Sequence, residues 1–305
     1  MVTFTKILYP TDLSEASRPA LDFAVTVARW YGAKLTVLHA VPPFEPVVVP
    51  TGLTDASNPV VYPPSMDAVR DAMREFVPEE VLAGIDVDFV ADAGDPSRVV
   101  VDHAVSAASD LIVIGTHGRS GFDRLLGGSV ADKILRRAPC PVLTIPPHAR
   151  AAGTRVFGRI LCAVDFSPSS QQALGFALAL ASQAHGTVTV MTALEWLAEE
   201  EPRTTGHFDV GEYRRHMVED ARARLGELVR SAQPDTPARA DDVVTLGRAH
   251  REVLRLAAER GCDLIVMGAQ GRGGVSLALF GSTTQQVVRG AECPVLVVHR
   301  PGALG

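Results

Sequence analysis

Short apolar runs alternate along this chain with longer stretches in which apolar residues recur every three or four positions. Lys6-Ile7-Leu8-Tyr9 is a run of the first kind and predicts a strand. Leu21, Ala24, Val25 and Ala28 fall on one helical face. They predict a helix that is N-capped by Ser14, runs to about Tyr31 and ends at Gly32. Lys34 to Val41 reads as the next strand. A proline-rich segment from Pro42 to Pro64 is too long and irregular for a turn and reads as a surface loop. The pattern then predicts a helix near Met66 to Val77, a strand at Asp86 to Ala91 and a helix from Pro96 to Ala108. Leu111 to Ile114 shows no polar alternation, as expected of a strand buried on both faces of a parallel sheet. A helix from Val130 to Arg137 leads to a last strand, Val142 to Ile145. Five strands and about four helices in alternation predict an α/β fold, a doubly wound parallel sheet. Such sheets bind ligands outside the carboxyl ends of the strands.

The same order then repeats. Asp12 and Asp165 are separated by 153 positions, as are Gly94 and Gly247. Asp110-Leu111-Ile112-Val113 corresponds in the same register to Asp263-Leu264-Ile265-Val266. Cys140-Pro141-Val142-Leu143 corresponds to Cys293-Pro294-Val295-Leu296. Chance does not hold so many matches in one register without a gap, so the chain is a duplication. The proline-led stretch from Pro146 to Gly153 marks the linker. The expected domains are 1–147 and 157–300, two tandem doubly wound sheets. In the second, Ser167 is the expected helix cap, with Pro168 at the first helical position.

Composition narrows the class. Hydrophobic residues make up 47% and charged residues 21% of the 305 residues, as in a soluble globular protein. A net charge of -6 disfavours nonspecific attraction to nucleic acid or to an anionic membrane. The longest stretch free of Asp, Glu, Lys and Arg, Gln171 to Leu194, reads as a helix followed by a strand rather than a membrane span. Met1 to Lys6 lacks the features of a signal peptide, so a cytoplasmic protein is the default expectation. The four cysteines form no C-x-x-C pair, which argues against a zinc site. Cys140 and Cys293 each precede a proline and read as small buried residues before a strand.

The candidate chemistry lies after the buried strand. Gly115-Thr116-His117-Gly118-Arg119 continues to Gly127-Gly128-Ser129, a G-x2-G-x9-G-S pattern. Gly268, Gly271, Gly281 and Ser282 repeat it at the same spacings. A side chain at Gly115 would block a ligand at the sheet edge, and Gly118 permits a turn with positive φ. Gly128 and Ser129 open a helix whose free N–H groups and positive dipole end suit a phosphate. The alternative is that the glycines only mark turns and the serines only cap helices. Ser282-Thr283-Thr284-Gln285 does fit a capping box. Two identically spaced loops, each between a buried strand and a helix, favour phosphate. An Asp after the first strand, Asp12 or Asp165, is either a ligand contact or a cap for the next helix. Arg119 and Arg272 either neutralise phosphate charge or are solvated. His117 corresponds to Gln270 in the second copy, which argues against a catalytic role.

On these residues the chain resembles a tandem universal stress protein of the ATP-binding branch. The resemblance covers nearly the whole chain. It implies an adenine nucleotide alpha hydrolase-like fold that binds ATP, with Mg. The nucleoside contacts it implies are Asp12, within Pro10-Thr11-Asp12, and Asp165. The strand-end residues Val41 and Leu194 would meet adenine. Gly118, Gly128, Ser129 and Val130 would hold phosphate, as would Gly271, Gly281, Ser282 and Thr283. Gly115 and Gly268 would lie near the ribose. It also implies that the last strands of the two copies pair with each other, and that two tandem chains associate as a homodimer. His39-Ala40-Val41 becomes Thr192-Ala193-Leu194, so the two sites need not be equal.

No G-x4-G-K-S/T loop and no GxGxxG fingerprint is present. No second-substrate site or general base is legible. The expectation is a nucleotide-dependent regulator of the stress response with an unidentified protein partner and at most slow ATP hydrolysis. The competing classes are an ATP-consuming enzyme of the same fold and a nucleotide-free dimerisation scaffold.

Overall fold

A computed structural model describes residues 2–42, 65–116, 130–149, 157–195, 210–232, 239–271 and 280–299. The expected sites Gly118, Arg119, Gly128, Ser129 and Arg272 lie outside these residues. So do His117, nearly all of the proline-rich stretch and half of the linker.

The first half holds strands β1 (Lys6–Pro10), β2 (Lys34–Val41), β3 (Val87–Ala93), β4 (Leu111–Gly115) and β5 (Val142–Ile145). Its helices are α1 (Arg18–Tyr31), α2 (Met66–Phe76), the short α3 (Glu79–Leu82), α4 (Pro96–Ser106) and α5 (Val130–Arg137). The second half holds β6 (Arg159–Ala163), α6 (Pro168–Ala184), β7 (Thr187–Leu194), α7 (Val210–Ala232) and β8 (Arg239–Leu246). It closes with α8 (Ala249–Glu259), β9 (Leu264–Gly268), α9 (Ser282–Gly290) and β10 (Val295–Val298). The ten strands among the described residues join one sheet in the order β3-β2-β1-β4-β5-β10-β9-β6-β7-β8. Within each half every pairing is parallel. The order 3-2-1-4-5 is doubly wound and reverses between β1 and β4, and again between β6 and β9.

The predicted elements form with four corrections in the first half. The third strand is shifted toward Ala93, and α4 ends at Ser106, followed by Ala108 at φ 51°. Glu79–Leu82 adds a short helix that the pattern did not predict. Ser14 does not cap the first helix. Its hydroxyl donates to Asp12 Oδ1 at 2.6 Å, a 3-10 turn covers Glu15–Ser17, and α1 begins only at Arg18. An Asp two residues upstream competes for the hydroxyl that a cap would need. In the second half Ser167 does cap, its Oγ accepting from Ser170 N at 3.2 Å.

Because side chains alternate across a strand, each strand feeds two cores. Ile7, Tyr9, Leu111 and Val113 join α1, α2, α6 and α7 on one face. Leu8, Ile112 and Ile114 join α4, α5, α8 and α9 on the other. Each core contains residues of both halves, so the halves share their interiors.

The seam is β5 against β10, the sheet's one antiparallel pairing among the described residues. Leu143 lies opposite Leu296, its own counterpart in the repeat. A pseudo-twofold axis therefore passes between them. Around it, Thr144 Oγ1 donates to Val295 O at 3.1 Å, and Tyr31 of α1 donates to Gln183 Oε1 of α6 at 2.6 Å. Asp132 of α5 meets its own counterpart, Gln285 of α9, whose Nε2 donates to its carboxylate at 3.2 Å. Arg289 donates to the same oxygen at 2.7 Å. The Nε2–H of His299 donates to Leu135 O of the other half at 2.7 Å, since a carbonyl can only accept.

Both the packing and the titration of this seam can be measured. Leu143 is 1% exposed, so Leu143→Ala should cost about 2–5 kcal/mol of unfolding free energy. Chemical denaturation of the full chain reads this, and an unchanged midpoint would contradict it. Burial holds the His299 imidazole below its usual pKa. The fold thus prefers the neutral ring, and its contribution is complete above about pH 6.5 and is lost as the pH falls. Denaturation midpoints should drop more on acidification for the natural chain than for His299→Gln. Equal drops would show that this histidine is not responsible.

Candidate nucleotide-binding site

The second half carries a cavity of about 460 Å³ at the carboxyl ends of its strands, where the strand order reverses. Its volume lies in the ~300–1,000 Å³ range of small-molecule sites. Ala163, Val164 and Asp165 enter it from the end of β6, and Gly268, Gln270 and Gly271 from the end of β9. Phe280, Gly281, Ser282, Thr283 and Thr284 come from the start of α9. Met191, Ala193, Met267, Ala249 and Val253 supply a mainly apolar wall.

A tight turn aims the acidic residue. Val164 N donates to Met191 O at 2.8 Å and ties the end of β6 to β7. Asp165 Oδ1 then accepts from Ser167 N at 3.0 Å, and Phe166 between them sits at φ 63°. The first half repeats this turn. Asp12 Oδ1 accepts from Ser14 N at 3.1 Å, Leu13 sits at φ 60°, and Thr11 N donates to Leu38 O at 2.9 Å. Left-handed backbone is unfavourable for leucine and phenylalanine, so the surrounding bonds must hold both residues there. Neither residue type favours that conformation, so the turn was not legible in the pattern.

Pro10 and Thr11 are buried inside the first turn. Thr11 Oγ1 lies 3.0 Å from Ser17 Oγ, and its carbonyl accepts from His39 Nδ1 at 2.8 Å. At the strand ends, Val41 O accepts from Gly94 N at 2.9 Å and Leu194 O from Gly247 N at 3.0 Å. Each carbonyl has one lone pair left. Leu194 does not line the cavity, whereas its neighbour Ala193 does. Gly115 is half-buried at the end of β4, and Val130 is 39% exposed at the start of α5.

The glycines have other immediate reasons than those the sequence suggested. Gly271 is not left-handed. A Cβ there would lie 2.8 Å from Asp165 Oδ2, so the loop passes against the carboxylate. A Cβ at Gly268 would lie 2.5 Å from Ser169 Oγ and 2.8 Å from its backbone carbon, so the strand end packs on α6. The capping box does not form either. Gly281 is the N-cap of α9, with no side-chain bond, and Gln285 reaches across the seam to Asp132 instead. Thr284 Oγ1 donates to Gly268 O at 2.9 Å and fixes the helix to the strand end. The first turn of α9 therefore opens on the cavity without a side-chain cap, with its N–H groups and positive dipole end directed there.

Of the sequence-predicted residues, this cavity gathers Asp165, Gly268, Gly271, Gly281, Ser282 and Thr283. Sequence reasoning missed Ser170, Gln270, Phe280 and Thr284, which also line it. Thr284 was visible only as a capping residue, and nothing in the pattern singled out Phe280.

The model of the universal stress protein family matches residues 3–146 and again 157–299. Universal stress protein YxiE of Bacillus subtilis is 32% identical over 152 residues, 47% of this chain and 99% of that protein. A universal stress protein of Mycolicibacterium smegmatis is 27% identical over 309 residues, covering 96% of both chains. Among solved structures, a universal stress protein from Archaeoglobus fulgidus superposes with a TM-score of 0.62 at 24% identity. It covers 98% of each chain and supports the fold.

The packing of Gly268 is directly testable. Gly268→Ala should destabilise the protein by about 1–3 kcal/mol without any ligand, because Ser169 backbone must give way. A thermal melt identical to that of the natural chain would remove this account of the glycine.

Proposed function

Because this chain belongs to the universal stress protein family, we propose that it is an ATP-binding member of it, in which nucleotide occupancy sets the binding of a protein partner. The observation that carries this reading is the cavity in the second half. It gathers a carboxylate, a glycine-lined loop and an uncapped helix start around a small-molecule-sized space at the sheet's switch point.

In this reading the first turn of α9, with Ser282 and Thr283, receives the phosphates, as helix N-termini receive anions. Arg272 follows Gly271 in the sequence and would add positive charge for them. Asp165 accepts from the hydroxyl groups of the ribose, and the apolar wall at Met191, Ala193 and Met267 holds the base. The strand end at Leu194 offers its remaining carbonyl lone pair to the base. No group of three or more His, Cys, Asp or Glu side chains placed to hold a metal occurs among the described residues. A Mg ion would thus enter on the phosphates, as it commonly does. The first half is proposed to hold a second nucleotide with Asp12, Val41, Gly115 and Val130. Gly118, Arg119, Gly128 and Ser129 complete that set. Domains 1–147 and 157–300 each carry one site. The protein acts through occupancy rather than turnover, with hydrolysis slow at most.

Acid extraction of purified protein, followed by identification of the released nucleotide, tests this together with ATP titration. The natural chain should release or bind ATP. A chain with Gly118→Glu and Gly271→Glu should do neither, since the side chain added in the second loop would sit against the Asp165 carboxylate. A natural chain that neither carries nor binds nucleotide ends the proposal.

A further inference from the structure

We propose that the second-half cavity is completed from the first half, with Arg136 of α5 positioning Phe280 in its wall and adding positive charge beside the phosphate end. This rests on the reading of that cavity as a nucleotide site. Phe280 is half-buried, lines the cavity and directly precedes Gly281 and Ser282, where α9 begins. The Arg136 guanidinium carbon stands 5.6 Å from the Phe280 ring centroid, within cation–π range. The ring is therefore held from across the seam by a residue of the other half.

The two arginines related by the repeat differ in their partners. Arg289 is neutralised by Asp132 at 2.7 Å. The mirror-image bond to Arg136 is absent, because Gln285 stands where a second aspartate would be needed. Asp132 itself lies one helical turn from Arg136, but its carboxylate is taken by Arg289 and Gln285. Among the described residues Arg136 forms no ion pair, and it is exposed. Phe280 directly precedes the helix start where the phosphates would sit, and exposed charges act on one another over about one Debye length, ~8 Å. Gly127 occupies the position corresponding to Phe280 in the first copy, so the arrangement is particular to the second site.

The test uses the full chain with Gly118→Glu, so that titration reports the second cavity alone. In this parent, Arg136→Ala should weaken ATP binding about three- to tenfold at low salt, the scale of one partly exposed charge contact. Adenosine, which lacks phosphate, should bind nearly as before. Arg136→Lys should recover most of the ATP affinity, and the Arg136→Ala chain should show a shallower dependence on salt. The inference is overturned if Arg136→Ala binds ATP like its parent at both salt concentrations while Gly271→Glu abolishes binding. In that case the cavity reading stands and the role of Arg136 does not. It is also overturned if Arg136→Ala weakens adenosine as much as ATP, which marks a structural effect. A parent that binds no ATP, in a natural chain that binds none either, removes the functional reading itself.

Discussion

The antiparallel pairing of β5 with β10 is the contact on which this architecture depends. Either half alone would leave a fully buried, largely apolar strand at its margin, with unpaired N–H and C=O groups, which invites association with other chains. Joined, the two margins become the buried centre of a ten-stranded sheet, and Val142, Leu143, Val295 and Leu296 pass into the interior. The strands left at the outer margins, β3 and β8, are more polar and more exposed, with Asp88, Asp92, Asp241 and Asp242 among their residues. Charge on edge strands discourages further pairing of this kind. The same seam merges the cores on both faces and brings α5 and α9 together beside the site.

Much of this was legible in the sequence, and for a plain reason. Strands buried on both faces need unbroken apolar runs, so Leu111 to Ile114 and its copy at Leu264 to Met267 announced the sheet centre. A gapless repeat then determined the duplicate architecture. The acidic turn was found by register, but its geometry was not. Leu13 and Phe166 take a backbone conformation that their residue types disfavour, and only tertiary bonds around them explain it. The cap at Ser14 failed because its hydroxyl turns to donate to Asp12 and accepts from no backbone N–H of the turn that follows. Gly268 and Gly271 were singled out for a blocked ligand and a positive-φ turn, whereas packing against neighbouring residues is what the structure shows at both. Those neighbours, Ser169 and Asp165, arrive from elsewhere in the chain and could not be read locally.

The site and the seam are not independent. α9 begins at the cavity wall and continues to the bonds with Asp132, and Thr284 fixes its first turn to the end of β9. A displacement at the start of this nine-residue helix would have to be absorbed by the seam or transmitted through it. Packed elements of this kind shift as units rather than deform smoothly. This gives a physical route from an occupied cavity to the surface of the other half.

The pair at the pseudo-axis, Asp132 against Gln285, has a consequence for how such a protein can change over generations. In a dimer of identical chains a residue on the axis meets its own copy, and any mutation there arrives twice. An aspartate would face an aspartate, and the two carboxylates would repel. Covalent duplication removes that restriction, because one copy can keep an acid while the other takes the amide that hydrogen-bonds to it. Self-facing positions become free to specialise one at a time, and differences between the two halves can accumulate first at the junction between them.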